Sequence, residues 1–287
     1  MEFSGMSYPN MALPARHNAR RLAMRLSMLA LLTAASGCLA STQQEVQLGD
    51  EYAAQVAQQL PLIRDPEIVR YITVLGDSIA RVSDDRNLRW TFNVVDQPDV
   101  NAFAVPGGHI YVYRGLIEKT ANMSELAGVL GHEIAHVTRR HSMLQMRDQQ
   151  RANVGVTLGC ILAPQVCSSG VGSTGINVLG GAAFAKFSRD DETEADRFGV
   201  TYVTRAGIDP RGMPSMFRTL LSLRKSNPAG LDNFFASHPV EESRVANTEA
   251  EIARLDPIVL KSLTRDSRAF QSFKSRLASL PRTRAVK

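Results

Sequence analysis

The segment His132-Glu133-Ile134-Ala135-His136 constrains this chain more than any other feature. Two histidines four positions apart share one face on a helix, where each residue turns about 100°. Both imidazoles then reach one metal ion, and the glutamate after the first histidine reaches a water beside that metal. The pattern supplies two zinc ligands, His132 and His136, and a general base, Glu133. The bland alternative is a helix carrying His and Glu on a solvated face.

The flanking residues argue against that alternative. Asn122 stands where a helix cap is expected, and Glu125 follows three residues later, as in a capping box. Leu126, Val129, Leu130 and Ile134 recur at helical spacing. The helix therefore has an apolar side that presses its histidines toward the interior, which gives a metal site firm support.

Two histidines and a water leave the site one protein ligand short. The best source is Ser188-Arg189-Asp190-Asp191-Glu192-Thr193-Glu194-Ala195-Asp196. Glu192 and Asp196 share a helical face, while Glu194 points roughly 200° away from Glu192. Gly199 and Val203 continue the Glu192 face and suit close packing against another helix. Glu192 is thus the expected third ligand. Asp196 is expected to accept the outer N–H of a ligand histidine and fix its tautomer. The alternative is a solvated acidic run.

Four separated blocks now resemble one family. They are Asn101-Ala102-Phe103-Ala104-Val105-Pro106-Gly107-Gly108, the helix from His132 to His141, Phe187-Ser188-Arg189 with Glu192 and Asp196, and Ser237-His238-Pro239. In this order they resemble the zinc endopeptidases that include HtpX, BepA and LoiP, related to the CAAX prenyl proteases. The resemblance runs from about Gly49 to Glu249. It implies an α+β fold, a mainly helical gluzincin-type metalloprotease domain with a small β-sheet whose edge strand lines the active-site cleft. It also implies one Zn2+ per chain, with the Glu192 and Asp196 pair supplying the third ligand and its support. Without a helical repeat region expected after the protease blocks, it resembles stand-alone members such as LoiP more closely.

Proteases of this mechanism hold a peptide as an added edge strand, so Asn101, Ala102, Phe103 and Ala104 are the expected substrate-binding residues. Backbone pairing is largely indifferent to sequence and selects unfolded segments. The alternative is an ordinary hairpin. His238, on a loop across the cleft, could stabilise the oxyanion of the tetrahedral intermediate, but the resemblance favours a second role. In BepA-like enzymes a histidine in this position can instead cap the metal and hold the enzyme latent. Phe234 and Phe235 are read as anchors for its loop, and Arg244 matches the family without a defined role. His109 reads as a strand surface residue and His141 as structural.

The amino terminus reads as an address. Arg16, Arg20, Arg21 and Arg25 precede an apolar stretch at 26–32, then Ala34-Ala35-Ser36-Gly37-Cys38. That stretch is too short to span a bilayer as a mature helix. Small residues before a cysteine resemble a bacterial lipoprotein signal, so residues 1–37 are expected to be removed and Cys38 lipidated. The alternative is an ordinary signal peptide cut nearby. Residues 38–287 then form the protease domain. Leu39 after the cysteine points to the outer membrane of a Gram-negative bacterium. The whole chain carries a net charge of +5. Residues 1–37 account for about three of those charges by residue count, which leaves nucleic-acid binding little support. Cys160 and Cys167 remain, either as a disulfide permitted by an oxidising periplasm or as two buried thiols.

Periodicity predicts helices over 43–59, 66–82, 123–147, 210–225 and 240–254, and a helix through Glu192. Strands are expected at 89–95, 100–105 and 109–113. Residues 155–181, rich in Gly, Ser and Ala, read as a segment over the cleft. The expected function is a periplasmic, lipid-anchored zinc endopeptidase acting on unfolded or misfolded envelope proteins, in contact with outer-membrane protein assembly machinery. A second reading is a chaperone-like or assembly-assisting envelope lipoprotein with low or latent proteolytic activity.

Overall fold

The computed structural model describes residues 40–84, 86–162, 186–226 and 231–283, without the side chains of 152–162 and 232–233. Cys38, and the pairing of Cys160 with Cys167, lie outside the described residues.

The chain opens with α1 (Thr42–Gln59), capped by a reciprocal pair of Ser41 and Gln44. Helix α2 (Pro66–Ala80) starts where Asp65 accepts the amides of Glu67 and Ile68, with Pro66 at the first position. Three strands follow: β1 (Thr91–Val95), β2 (Ala102–Val105) and β3 (His109–Tyr113). Gly107 and Gly108 turn β2 into β3 with φ of 82° and 103°, a region that glycine enters without strain. The sheet order is β1-β3-β2, with β1 parallel and β2 antiparallel to β3. Both faces are covered. Val94, Ala102, Ala104, Ile110 and Val112 join the main core, while Phe103, Val105, Tyr111 and Tyr113 form a second cluster under Tyr52 and Val56 of α1. Period-2 alternation divides each strand between two apolar layers.

After α3 (Arg114–Lys119) comes α4 (Met123–Thr138), the helix of the H-E-x-x-H segment. Every residue from Met123 to Val137 is buried. A helix buried all round is the central element of a core. Asn122 Oδ1 accepts the Glu125 amide, as expected of the cap. The return arm differs: Glu125 reaches the amide of Ala121 and the hydroxyl of Ser215 instead of its own cap residue.

The sequence predicted one helix over 123–147, and the structure corrects this. Helix α4 ends at Thr138, Arg140 takes φ 62°, and α5 (His141–Leu162) starts in a new direction. An arginine rarely adopts that conformation, and Glu45 holds it by accepting from Arg140 Nε at 2.7 Å. Residues 155–162, expected over the cleft, belong to α5.

Helix α6 (Arg189–Arg205) begins with a capping box of Ser188 and Asp191 and lies along α4. An added Cβ on Gly199 would sit 3.2 Å from both Gly131 C and His132 N, so the two helices meet backbone to backbone. Then follow α7 (Gly212–Ser226), α8 (Asp232–Ser237), α9 (Glu242–Ala253), α10 (Pro257–Ser262) and α11 (Arg268–Ser279). Helix α11 returns to α2, where Phe273 stacks on Tyr71 at 4.4 Å. No helix among the described residues is long and apolar enough to cross a membrane.

Candidate active site

Four donors converge in the core between α4, α6 and the end of α8. His132, His136, Glu192 and His238 each offer a ligand atom, all within 4.8 Å of one another and all buried. His132 Nε2 and His136 Nε2 are 3.0 Å apart. Glu192 Oε1 lies 3.3 Å from His136 Nε2, and its Oε2 lies 3.6 Å from His132 Nε2. His238 Nδ1 is 2.9 Å from Glu192 Oε1 and 3.4 Å from His132 Nε2. The helical spacing did its part: α4 places two imidazoles on one face, and α6 turns Glu192 and Asp196 toward them.

Asp196 stands behind His132, with Oδ1 2.9 Å from Nδ1, close but not in aligned hydrogen-bond geometry. Arg244 locks this wall. Its Nε and Nη2 donate to the two oxygens of Asp196 at 2.7 and 2.6 Å, and its Nη1 donates to Glu192 Oε2. The same Nη1 donates to Pro239 O at 3.0 Å, which holds the chain just after His238. A planar guanidinium suits this two-carboxylate fork where a lysine would not. Sequence reasoning left Arg244 without a role, because its partners lie about fifty positions away.

Glu133 is 1% exposed, and neither carboxylate oxygen has a hydrogen-bond partner. His238 Nε2 lies 3.7 Å from its Oε1. Buried carboxylates without partners are costly, so such a group marks chemistry or a missing ligand. A cavity of about 10 Å³ adjoins Glu133, His132 and Arg244, lined by Val129, Met213, Met216, Phe217, Leu220 and Phe234. It holds barely one water.

The charges point the same way. Glu133, Glu192 and Asp196 bring three buried carboxylates, against the single guanidinium of Arg244. A divalent cation among the donors would balance the excess. Without it, protons respond. Burial disfavours charge on His238, yet Glu192 and Glu133 outweigh burial and raise its pKa. Burial alone would raise Glu192, but His238, Arg244 and His132 hold it well below the usual carboxylate range. His136 is pushed well below the usual imidazole value, chiefly by burial. Three imidazoles and one carboxylate in a buried cluster fit a tetrahedral metal ion of the borderline-soft kind.

Other expected residues fall differently. Asn101 is buried just before β2, with its side-chain oxygen unpartnered. Ala102, Phe103 and Ala104 are also buried, and Phe103 stacks on Tyr111 at 4.8 Å. Their side chains therefore belong to the two cores. β2 is an edge strand, paired only with β3 among the described residues. His109 is not a surface residue: it is buried between Thr91 and Asp50, at 2.9 and 3.1 Å. Phe234 packs 5.3 Å from the His238 ring, but on α8 rather than a loop. Phe187, quoted only as part of a motif, stacks on His136 at 3.9 Å.

Residues 63–252 match Peptidase family M48. The chain is 33% identical over 234 residues to the beta-barrel assembly-enhancing protease of Escherichia coli K12, covering 79% of this chain and 47% of that protein. It therefore spans about half the length of that relative. It is 30% identical over 249 residues to the metalloprotease YcaL of Escherichia coli K12, covering 85% of this chain and 88% of that protein. The mitochondrial metalloendopeptidase OMA1 of Schizosaccharomyces pombe is 28% identical over 180 residues, 62% of this chain and 51% of that protein.

Proposed function

The chain belongs to peptidase family M48, and from that premise we propose a zinc-dependent endopeptidase that cleaves unfolded or misfolded proteins of the bacterial envelope. The observation that carries this reading is Glu133, buried with both oxygens unpartnered beside a four-donor cluster. His132, His136 and Glu192 hold the zinc. When bound, the metal supplies Lewis acidity toward a water and a peptide carbonyl. Glu133 accepts the proton of the attacking water and passes it to the leaving amine. Asp196 faces the outer nitrogen of His132, and Arg244 holds Asp196 and Glu192 in place.

His238 acts as a cap. Its Nδ1 points at Glu192 and His132, as a fourth donor would, and so occupies the position that substrate chemistry needs. The peptide lies along β2 from Asn101 to Ala104 and uses the backbone edge, since those side chains are buried.

Envelope substrates are supported by the name of the beta-barrel assembly-enhancing protease and by the export signal read in residues 1–37. The reading places residues 38–287 in the periplasm, tethered to the outer membrane by lipid on Cys38, near outer-membrane protein assembly machinery. Cys160 and Cys167 form a disulfide there.

The test is cleavage of casein by the purified protein. A chelator is expected to abolish it, and zinc to restore it. Glu133→Gln is expected to keep about one zinc per chain and lose at least ~100-fold in rate, the low end for general acid–base catalysis. Full activity after complete metal removal would sink the reading.

A further inference from the structure

We propose that His141 and Glu194 form a positioning relay that fixes the proton on His136, so that His136 presents a bare Nε2 to the metal. The inference rests on the metal-site reading above. It starts from the break after α4. On an unbroken helix His141 would lie about 140° around from His136 and face elsewhere. The left-handed turn at Arg140 swings it back. His141 Nδ1 then faces His136 Nδ1 at 2.9 Å, with the ring planes at 77°. On its far side, His141 Nε2 lies 2.9 Å from Glu194 Oε2. Arg139 fixes Glu194 in turn, with Nε and Nη2 at 3.1 and 3.0 Å from Oε1.

Two ring nitrogens in contact share one proton, which belongs to one or the other. If His141 donated, His136 Nδ1 would accept, and the proton of neutral His136 would sit on Nε2. That nitrogen could not then serve as a donor to metal. His141 Nε2 would also turn a lone pair toward a carboxylate. Glu194 accepts only, so it demands N–H at His141 Nε2. In neutral His141, Nδ1 is then the acceptor, and His136 carries its proton on Nδ1. The carboxylate at the outer end thus sets the tautomer two groups away.

The turn that makes this contact is held from a distance. Glu45 of α1 is 1% exposed and accepts from Arg140 Nε and, at 2.9 Å, from Arg86 Nη1. Arg86 Nη2 donates to Val137 O at 2.9 Å, at the end of α4. The first helix of the described chain therefore supports the geometry that brings His141 onto His136.

The test is the zinc affinity of the purified protein, measured by competition with a chelator. His141→Leu is expected to weaken zinc binding roughly 10–100-fold. His141→Asn, whose amide oxygen can accept from His136 Nδ1, is expected to recover most of that loss. Glu194→Ala lies at a partly exposed site, leaves the core intact and is expected to weaken binding severalfold. Wild-type affinity in folded His141→Leu would overturn the relay, as would equal losses in the Leu and Asn variants. If His141→Leu fails to fold, wild-type affinity in Glu194→Ala is decisive against it. A wild-type protein that holds no zinc would overturn the metal-site reading itself.

Discussion

Three of the converging donors stand on α4 and α6, and the fourth, His238, closes the short helix α8. The helical donors are fixed twice. Spacing of four residues aligns His132 with His136 on α4 and Glu192 with its neighbour Asp196 on α6, and the contact of Gly199 with Gly131 and His132 sets the distance between the helices. They cannot leave the site without parting that packing. His238 stands outside that helix contact, on a segment of its own. Its amide donates to Phe234 O at 2.7 Å, Phe187 N donates to Ser237 O at 3.2 Å, and Arg244 holds Pro239 O. That segment can therefore shift without parting α4 from α6. From this contrast we infer a metal site with a rigid floor and one removable donor.

The largest effect expected from this contrast is on the floor. Glu192→Ala is expected to purify with almost no zinc, while Glu194→Ala retains about one equivalent at saturating zinc despite its weaker affinity. Elemental analysis after gel filtration separates the two. A fully loaded Glu192→Ala protein would mean that the helix pair does not define the site.

Next comes the helix contact. Gly199→Ala places a Cβ 2.6 Å from Met213 Cε as well as against α4. We expect a loss of about 1–3 kcal/mol, the usual cost of overpacking, read as a lower denaturation midpoint, together with weaker zinc binding. An unchanged midpoint would show that the helices can part freely, and the contrast with His238 would fail.

The smallest effect on metal content is expected at the removable donor. His238→Ala should keep about one zinc per chain, because three protein ligands suffice for a catalytic site. Its basal casein cleavage should rise, since the cap is gone. A variant that holds zinc but loses ~100–1000-fold in rate would make His238 an oxyanion donor instead.

Much of this was legible in the chain. The cap at Asn122, the apolar spacing of α4, the shared face of Glu192 and Asp196, and the strands around Pro106-Gly107-Gly108 are all local. Each follows from residues within a turn or two of one another, where backbone geometry alone relates side chains. The break at Arg140 was not legible, because nothing nearby requires an arginine to take a left-handed conformation. Glu45, 95 positions earlier, imposes it. The same holds for Arg244, whose fork joins carboxylates 48 and 52 positions away. It also holds for His141, whose place beside His136 exists only because the helix stops.

The sequence by itself therefore determined the candidate site groups on α4 and α6 and the helices that carry them, since periodicity turns spacing into direction. Tertiary structure alone decided that His141 stands behind His136 and that Arg244 ties Glu192 to Asp196. Those contacts depend on residues far apart along the chain, and only burial in one core, where each charge needs a partner, brings them together.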